Sequence, residues 1–199
     1  METHAPLMGE PLPVELMNTV WADRTGVHDA LASAADTRAW LAVIADREPL
    51  AAAGGGEPLA GRLRELRDAA RRLAAVTTDD PRAAAASPLA SRTEAVELLN
   101  RVAALAPRRS RLHWPEGGSP ARTFAAAGGA DDALLSALAE QTIELFAGDE
   151  RARLRACLAP GCVLYFAGQH PRREWCSAAC GNRARVARHY RRHHGDGCV

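Results

Sequence analysis

Leu59, Leu63, Leu66, Ala70, Leu73 and Val76 follow Pro58 at steps of three and four. That spacing lines one side of a helix and predicts a strongly amphipathic one, closed by Thr77-Thr78-Asp79-Asp80-Pro81. Leu31, Ala35, Trp40, Leu41 and Ile44 fall near one face of a run over 29–46 and predict an earlier helix, after which Gly54-Gly55-Gly56 breaks the chain. Ser87-Pro88 reads as the cap and first turn of a later helix, reaching about Ala106 with Ala95, Leu98, Leu99, Val102 and Leu105 inward. A last long helix starts at Asp131, its stripe being Leu134, Leu135, Leu138, Ile143, Leu145 and Phe146; it ends at Gly148 or continues to Cys157.

Between these runs the pattern is weaker. Residues 1–13 hold three prolines and read as a loose arm, and Val14 to Trp21 as the start of a helix or a buried segment. From Arg111 to Ala125 the helical period disappears, and Gly117-Gly118 separates short segments bearing Trp114 and Phe124, which suggests a β-hairpin or a structured loop. The expected architecture is mostly α. It comprises a helical N-terminal domain over 1–150 with a small β-hairpin, followed by a compact module over 151–199.

Charge separates the two parts. All 25 basic residues other than histidine are arginine. Residues 1–150 carry 15 of them against 22 Asp and Glu, whereas residues 151–199 carry 10 against only Glu174 and Asp196. An overall charge of +1 thus conceals an acidic domain and a basic tail, and such asymmetry points to a polyanionic partner for the tail. No run approaches the roughly 18 apolar residues of a membrane span, and no secretory signal is read at the N-terminus. The expected location is cytoplasmic.

The five cysteines all fall in the last 43 residues. Cys157/Cys162 and Cys176/Cys180 form two close pairs separated by thirteen residues. Pro160-Gly161 turns the chain between the first two, and Val163 to Phe166 suits a strand that Arg172 to Trp175 would pair with. Cys176 and Cys180 are one helical turn apart, with Ser177 placed to cap the helix start. A disulfide within each pair would close only a tiny loop, and an iron–sulfur centre is the minor alternative. Close pairs in a reducing compartment favour a structural zinc finger of treble-clef type, its ion held by four cysteines. His170 and His189 improve on none of the four, and Cys198 reads as a free thiol.

On the following helix, at about 100° per residue, Val186, Ala187 and Tyr190 fall on the side expected to pack against the hairpin. Arg185, Arg188 and Arg192 fall opposite, flanked by His189 and Arg191, in a row suited to DNA phosphates and guanine edges. The bland alternatives are a solvated face or an acidic protein partner. Arg183 lies on the Val186 side and, with Asn182, is assigned to bracing backbone carbonyls or the metal centre.

The run Trp175 to His193, WCSAACGNRARVARHYRRH, resembles the CGNR zinc-finger family, whose signature is here Cys180-Gly181-Asn182-Arg183. That family joins its finger to an N-terminal ABATE domain associated with stress-induced transcription regulation. Leu16-Met17-Asn18-Thr19-Val20, Asp29-Ala30-Leu31 and Trp40-Leu41 are similar to it in the same order. The resemblance implies zinc on Cys157, Cys162, Cys176 and Cys180, and DNA as the partner of the module. One spacing departs from it: Cys176 and Cys180 are one residue closer than in many members.

The expected function is therefore a DNA-binding transcription regulator whose N-terminal domain senses a small-molecule effector or self-associates as a homodimer. The alternative is a zinc-stapled protein-interaction adaptor. Asn18, a polar residue in an apolar run, is the candidate to face a ligand, with Trp21, Trp40 and Trp114 as further pocket or core residues. An enzyme is not expected: His4, His28 and His113 are scattered, and no HExxH, GxSxG or P-loop pattern occurs.

Overall fold

The computed structural model describes residues 7–53, 56–126, 128–168 and 172–194. His4, His170 and Cys198 lie outside them. Six α-helices are described: α1 (Leu12–Met17), α2 (Ala34–Ile44), α3 (Glu57–Thr77), α4 (Arg92–Ala103), α5 (Ala130–Ala147) and α6 (Ala178–His194). The strands pair as three antiparallel hairpins: β1 (Val20–Asp23) with β2 (Gly26–Asp29), β3 (Arg108–His113) with β4 (Ala121–Ala126), and β5 (Leu154–Ala156) with β6 (Tyr165–Ala167). No described helix is long and apolar enough to cross a membrane.

α3 is the centre of the body. Its Leu59, Leu63, Leu66 and Leu73 meet Leu16 of α1, Trp40, Leu41 and Ile44 of α2, Leu99 of α4 and Leu134, Leu135 and Leu138 of α5 in one buried cluster. A second cluster crosses from this body into the C-terminal module: Val14, Met17, Ala70, Ala74 and Leu145 pack with Leu154 and Tyr165. Alanine on this side of α3 brings its backbone close to α1, leaving room for the Tyr165 ring.

Several expected boundaries move. α2 starts at Ala34, not Asp29, because Ser33 accepts a hydrogen bond from the Asp36 amide and so caps the helix. The segment from Val20 to Asp29 is the β1–β2 hairpin instead, its turn held by Asp23, which accepts from both the amide and the hydroxyl of Thr25. α4 starts at Arg92 and not at Ser87-Pro88. Ser91 accepts from the Glu94 amide at 3.1 Å while Glu94 accepts from Ala90, the Ser-x-x-Glu box that outcompetes the upstream pair. Ser87 accepts from the Leu89 amide and donates to the Asp68 carbonyl, so it builds a turn against α3. Leu105, expected inward, is exposed. α5 ends at Gly148, and a short 3-10 turn over Asp149–Arg153 leads into β5.

Candidate metal centre and the basic helix

β6 pairs with β5, which precedes Cys157, and not with residues 172–175, as the sequence pattern suggested. The hairpin therefore carries the first cysteine pair at its own tip. Cys157 donates its amide to Leu164, and Cys162 donates to Ala159 across Pro160-Gly161. Gly161 sits at φ +71°, the left-handed position that follows proline in a type II turn, so a side chain there is strained. The second pair flanks the start of α6: Cys176 precedes the helix, Ser177 accepts from the Cys180 amide at 3.2 Å, and Cys180 lies in the first turn. This is the expected cap.

The four Sγ atoms lie within 4.8 Å of one another, and all four cysteines are buried. None is disulfide-bonded. Cys162 and Cys176 are 3.8 Å apart and Cys176 and Cys180 3.4 Å, close to the about 3.8 Å edge of a tetrahedron with 2.3 Å zinc–sulfur bonds. An all-thiol set without carboxylate selects a soft tetrahedral ion over calcium or magnesium. Thiol hydrogen bonds from Cys162 and Cys176 hold the Cys157 pKa below its ordinary value, while the contact with Cys157 pushes those of Cys162 and Cys176 up. Such sulfurs compete for one negative charge, and a divalent cation among them lets all four ionise. With every coordination position filled by sulfur, zinc here supports structure.

Arg183, assigned from the sequence to bracing, donates from Nη2 to Cys180 Sγ at 3.0 Å. Positive charge there offsets the surplus negative charge of a tetrathiolate. Arg183→Ala is expected to weaken zinc binding by roughly tenfold, read by competition with a chromogenic chelator; an unchanged affinity would assign the contact to packing. Asn182 accepts from Arg185 and is exposed; neither a backbone carbonyl nor the cluster is its partner in the described contacts.

α6 packs differently from its expected wheel. Cys180, Gly181 and Ala184 are buried and Ala187 half-buried, whereas Val186 and Tyr190 are exposed. Small residues face the module because Trp175 lies across the helix: a Cβ on Gly181 would meet Trp175 Cδ1 at 3.1 Å. Arg188 and Arg191 border a shallow cleft with Leu158, Pro160 and Trp175, and Arg185 borders another with Arg172. From Arg188 to His193 every residue is exposed, so Arg188, His189, Arg191 and Arg192 stand on the solvent-facing end of the helix.

The residues that hold the module to the body were not found from the sequence. Arg82 donates from Nη1 to the carbonyls of Cys157, Cys162 and Leu164 at 3.0–3.1 Å, and its other nitrogens grip Asp80 at 2.7 and 2.6 Å. Arg71 bonds the Met17, Ala85 and Val163 carbonyls. Both guanidiniums lie against the Tyr165 ring, Arg71 at 5.3 Å and Arg82 at 5.0 Å from its centroid, and the Tyr165 hydroxyl donates to Asp80 at 2.7 Å. Burial and that hydrogen bond push Tyr165 up to about 12. Asn18, the ligand candidate, is buried and bonded to the finger: its amide accepts from Tyr165 N and donates to Tyr165 O, both at 2.9 Å, as an extra strand would. Glu10 accepts from the Ala167 amide and pairs with Arg173 at 2.7 Å. Trp40 is core, Trp21 stacks on His28, and Trp114 is exposed.

A family model named ABATE, described as "Putative stress-induced transcription regulator", matches residues 10–149, and a second, described as "CGNR zinc finger", matches residues 153–193. No curated protein matches the chain.

Proposed function

The chain belongs to the ABATE family and carries a CGNR zinc finger, and from that premise we propose that it binds DNA through α6 and regulates transcription. The observation that carries the reading is the exposed end of α6. Arg188, Arg191 and Arg192, with His189, are exposed there without a carboxylate partner among the described residues. Arg185 stands one turn nearer the base. The zinc cluster and the Arg82 clamp fix this helix to the whole body, so the guanidiniums are presented from a rigid mount. Phosphate contacts by such a row release counterions, and guanine edges accept bidentate arginine.

The helical body supplies the regulatory half. An open cleft of about 610 Å³ is bordered by Pro11, Leu12, Arg47, Gln141 and Leu145. Arg47 donates to the Glu10 carbonyl, and the Glu10 carboxylate holds Ala167 and Arg173 of the finger. An effector that drew Arg47 away would therefore disturb a direct support of the finger. One finger offers limited contact area, so tight binding calls for a second contact or a second copy.

The test is duplex affinity measured across a salt series. Arg188→Ala/Arg192→Ala is expected to reduce the slope of log affinity against log salt by about 1.8, two phosphate contacts at 0.9 each. A wild-type affinity insensitive to salt, or an unchanged double variant, would sink the reading in favour of an acidic protein partner.

A further inference from the structure

α6 is not the sole cationic element that stands clear of the body. Every residue from Arg109 to Thr123, most of the β3–β4 hairpin and its turn, is exposed. Strand alternation puts Arg109, Arg111 and His113 on one face, about 6.8 Å apart in sequence order. Arg111 pairs with Thr123 and His113 with Ala121, short side chains that leave the guanidinium and the imidazole uncovered. The opposite face carries Ser110, Leu112 and Arg122, where Arg122 donates to the Ser110 hydroxyl.

Charge singles the hairpin out. Residues 107–127 hold four arginines and one acid, Glu116, while the rest of residues 1–150 hold 11 arginines against 21 acids. Neither Arg109 nor Arg111 has a carboxylate partner among the described residues. An exposed two-stranded ribbon is marginally stable on its own in water, and this one also exposes Leu112 by 72% and Trp114 by 66% near its turn. A cationic ribbon on an otherwise acidic body fits a polyanion, and two-stranded ribbons enter nucleic-acid grooves.

We propose that the β3–β4 hairpin is a second duplex-DNA contact, laying Arg109, Arg111 and His113 on phosphates with Trp114 at its leading end against the groove edge. This rests on the reading of α6 as DNA-binding and supplies the contact area that a lone finger lacks.

The test compares the full chain, Arg109→Ala/Arg111→Ala and Arg188→Ala/Arg192→Ala on a duplex spanning two helical turns, over a salt series. The hairpin variant is expected to keep the wild-type melting temperature and to lower the salt slope by about 1.8. An unchanged slope in the hairpin variant, with the α6 variant weakened, would overturn the hairpin contact and leave the helix reading intact. Absence of wild-type binding would overturn both. Loss of self-association in sedimentation, with DNA affinity unchanged, would make the ribbon an interface between copies and also overturn the proposal.

Discussion

Arg82→Ala is expected to destabilise the protein by about 3–5 kcal/mol and to release the finger from the helical body. Arg82 is 12% exposed and its partner Asp80 2%. Truncation leaves a buried carboxylate with only the Tyr165 hydroxyl and the backbone amide of residue 82 as donors, and three carbonyls of the cysteine hairpin lose one donor at once. Lysine would not replace it, since an ammonium lacks the planar fork that serves Asp80 on one side and the carbonyls on the other. Burial by itself would raise Asp80, but the hydrogen bonds from Arg82 and Tyr165 outweigh it and hold the carboxyl below its ordinary value. A carboxylate depressed in the folded state contributes stability above its unfolded pKa, near 3.9, and that contribution disappears as pH falls through the lower folded value. The clamp is therefore fully present at neutral pH. Denaturant unfolding, with hydrogen exchange at 154–167, measures the effect. A loss below about 1 kcal/mol, the scale of an exposed ion pair, would mean that the clamp is incidental.

The clamp also explains what could be read in the sequence and what could not. The cysteine quartet was legible because metal chemistry imposes short spacings along the chain, and the helical body because its apolar stripes repeat over many turns. The joint between them is made by polar groups far apart in sequence: Asn18 meets Tyr165 across 147 residues and Arg82 meets Leu164 across 82. No periodicity encodes such a pairing. A partial signal did exist, because Arg67 and Arg71 fall on the inward stripe of α3 beside Leu63, Leu66, Ala70 and Ala74. Charged residues at buried positions of a wheel ask for partners, and these found Asp29 and the Met17, Ala85 and Val163 carbonyls. The β5–β6 pairing was mistaken for a related reason. Three-residue strands carry almost no alternation, and the run at 172–175 lay nearer the second cysteine pair. The inner face of α6 was misassigned because Val186 and Tyr190 are its largest apolar groups, whereas Trp175 needs small ones beneath it.

Removal of zinc by a strong chelator under reducing conditions is expected to unfold one half of the finger and spare the other. Structural zinc contributes roughly 10–16 kcal/mol in isolated finger peptides, comparable with the about 5–15 kcal/mol that stabilises a whole domain. Here four of the seven buried residues of the finger's own cluster are cysteines, so little apolar packing remains once the sulfurs separate. β5 and β6 have other support: Leu154 and Tyr165 belong to the body's core, and Asn18, Arg71, Arg82 and Glu10 hold the backbone around them. α6 has little besides Trp175, Arg173 and the Ser177 cap. A helix of 17 residues bearing five arginines, standing alone, is near the length at which helices are marginal in water. Amides of 178–194 should therefore lose most of their exchange protection, and helical ellipticity should fall by the share of α6. Those of 154–167 should stay protected, and the Arg188, Arg191 and Arg192 row should lose its fixed spacing together with any DNA affinity. Full protection of α6 after stoichiometric zinc loss would show that packing, and not the metal, holds the helix. Equal loss in both halves would show that the Arg82 clamp depends on zinc and does not stand beside it.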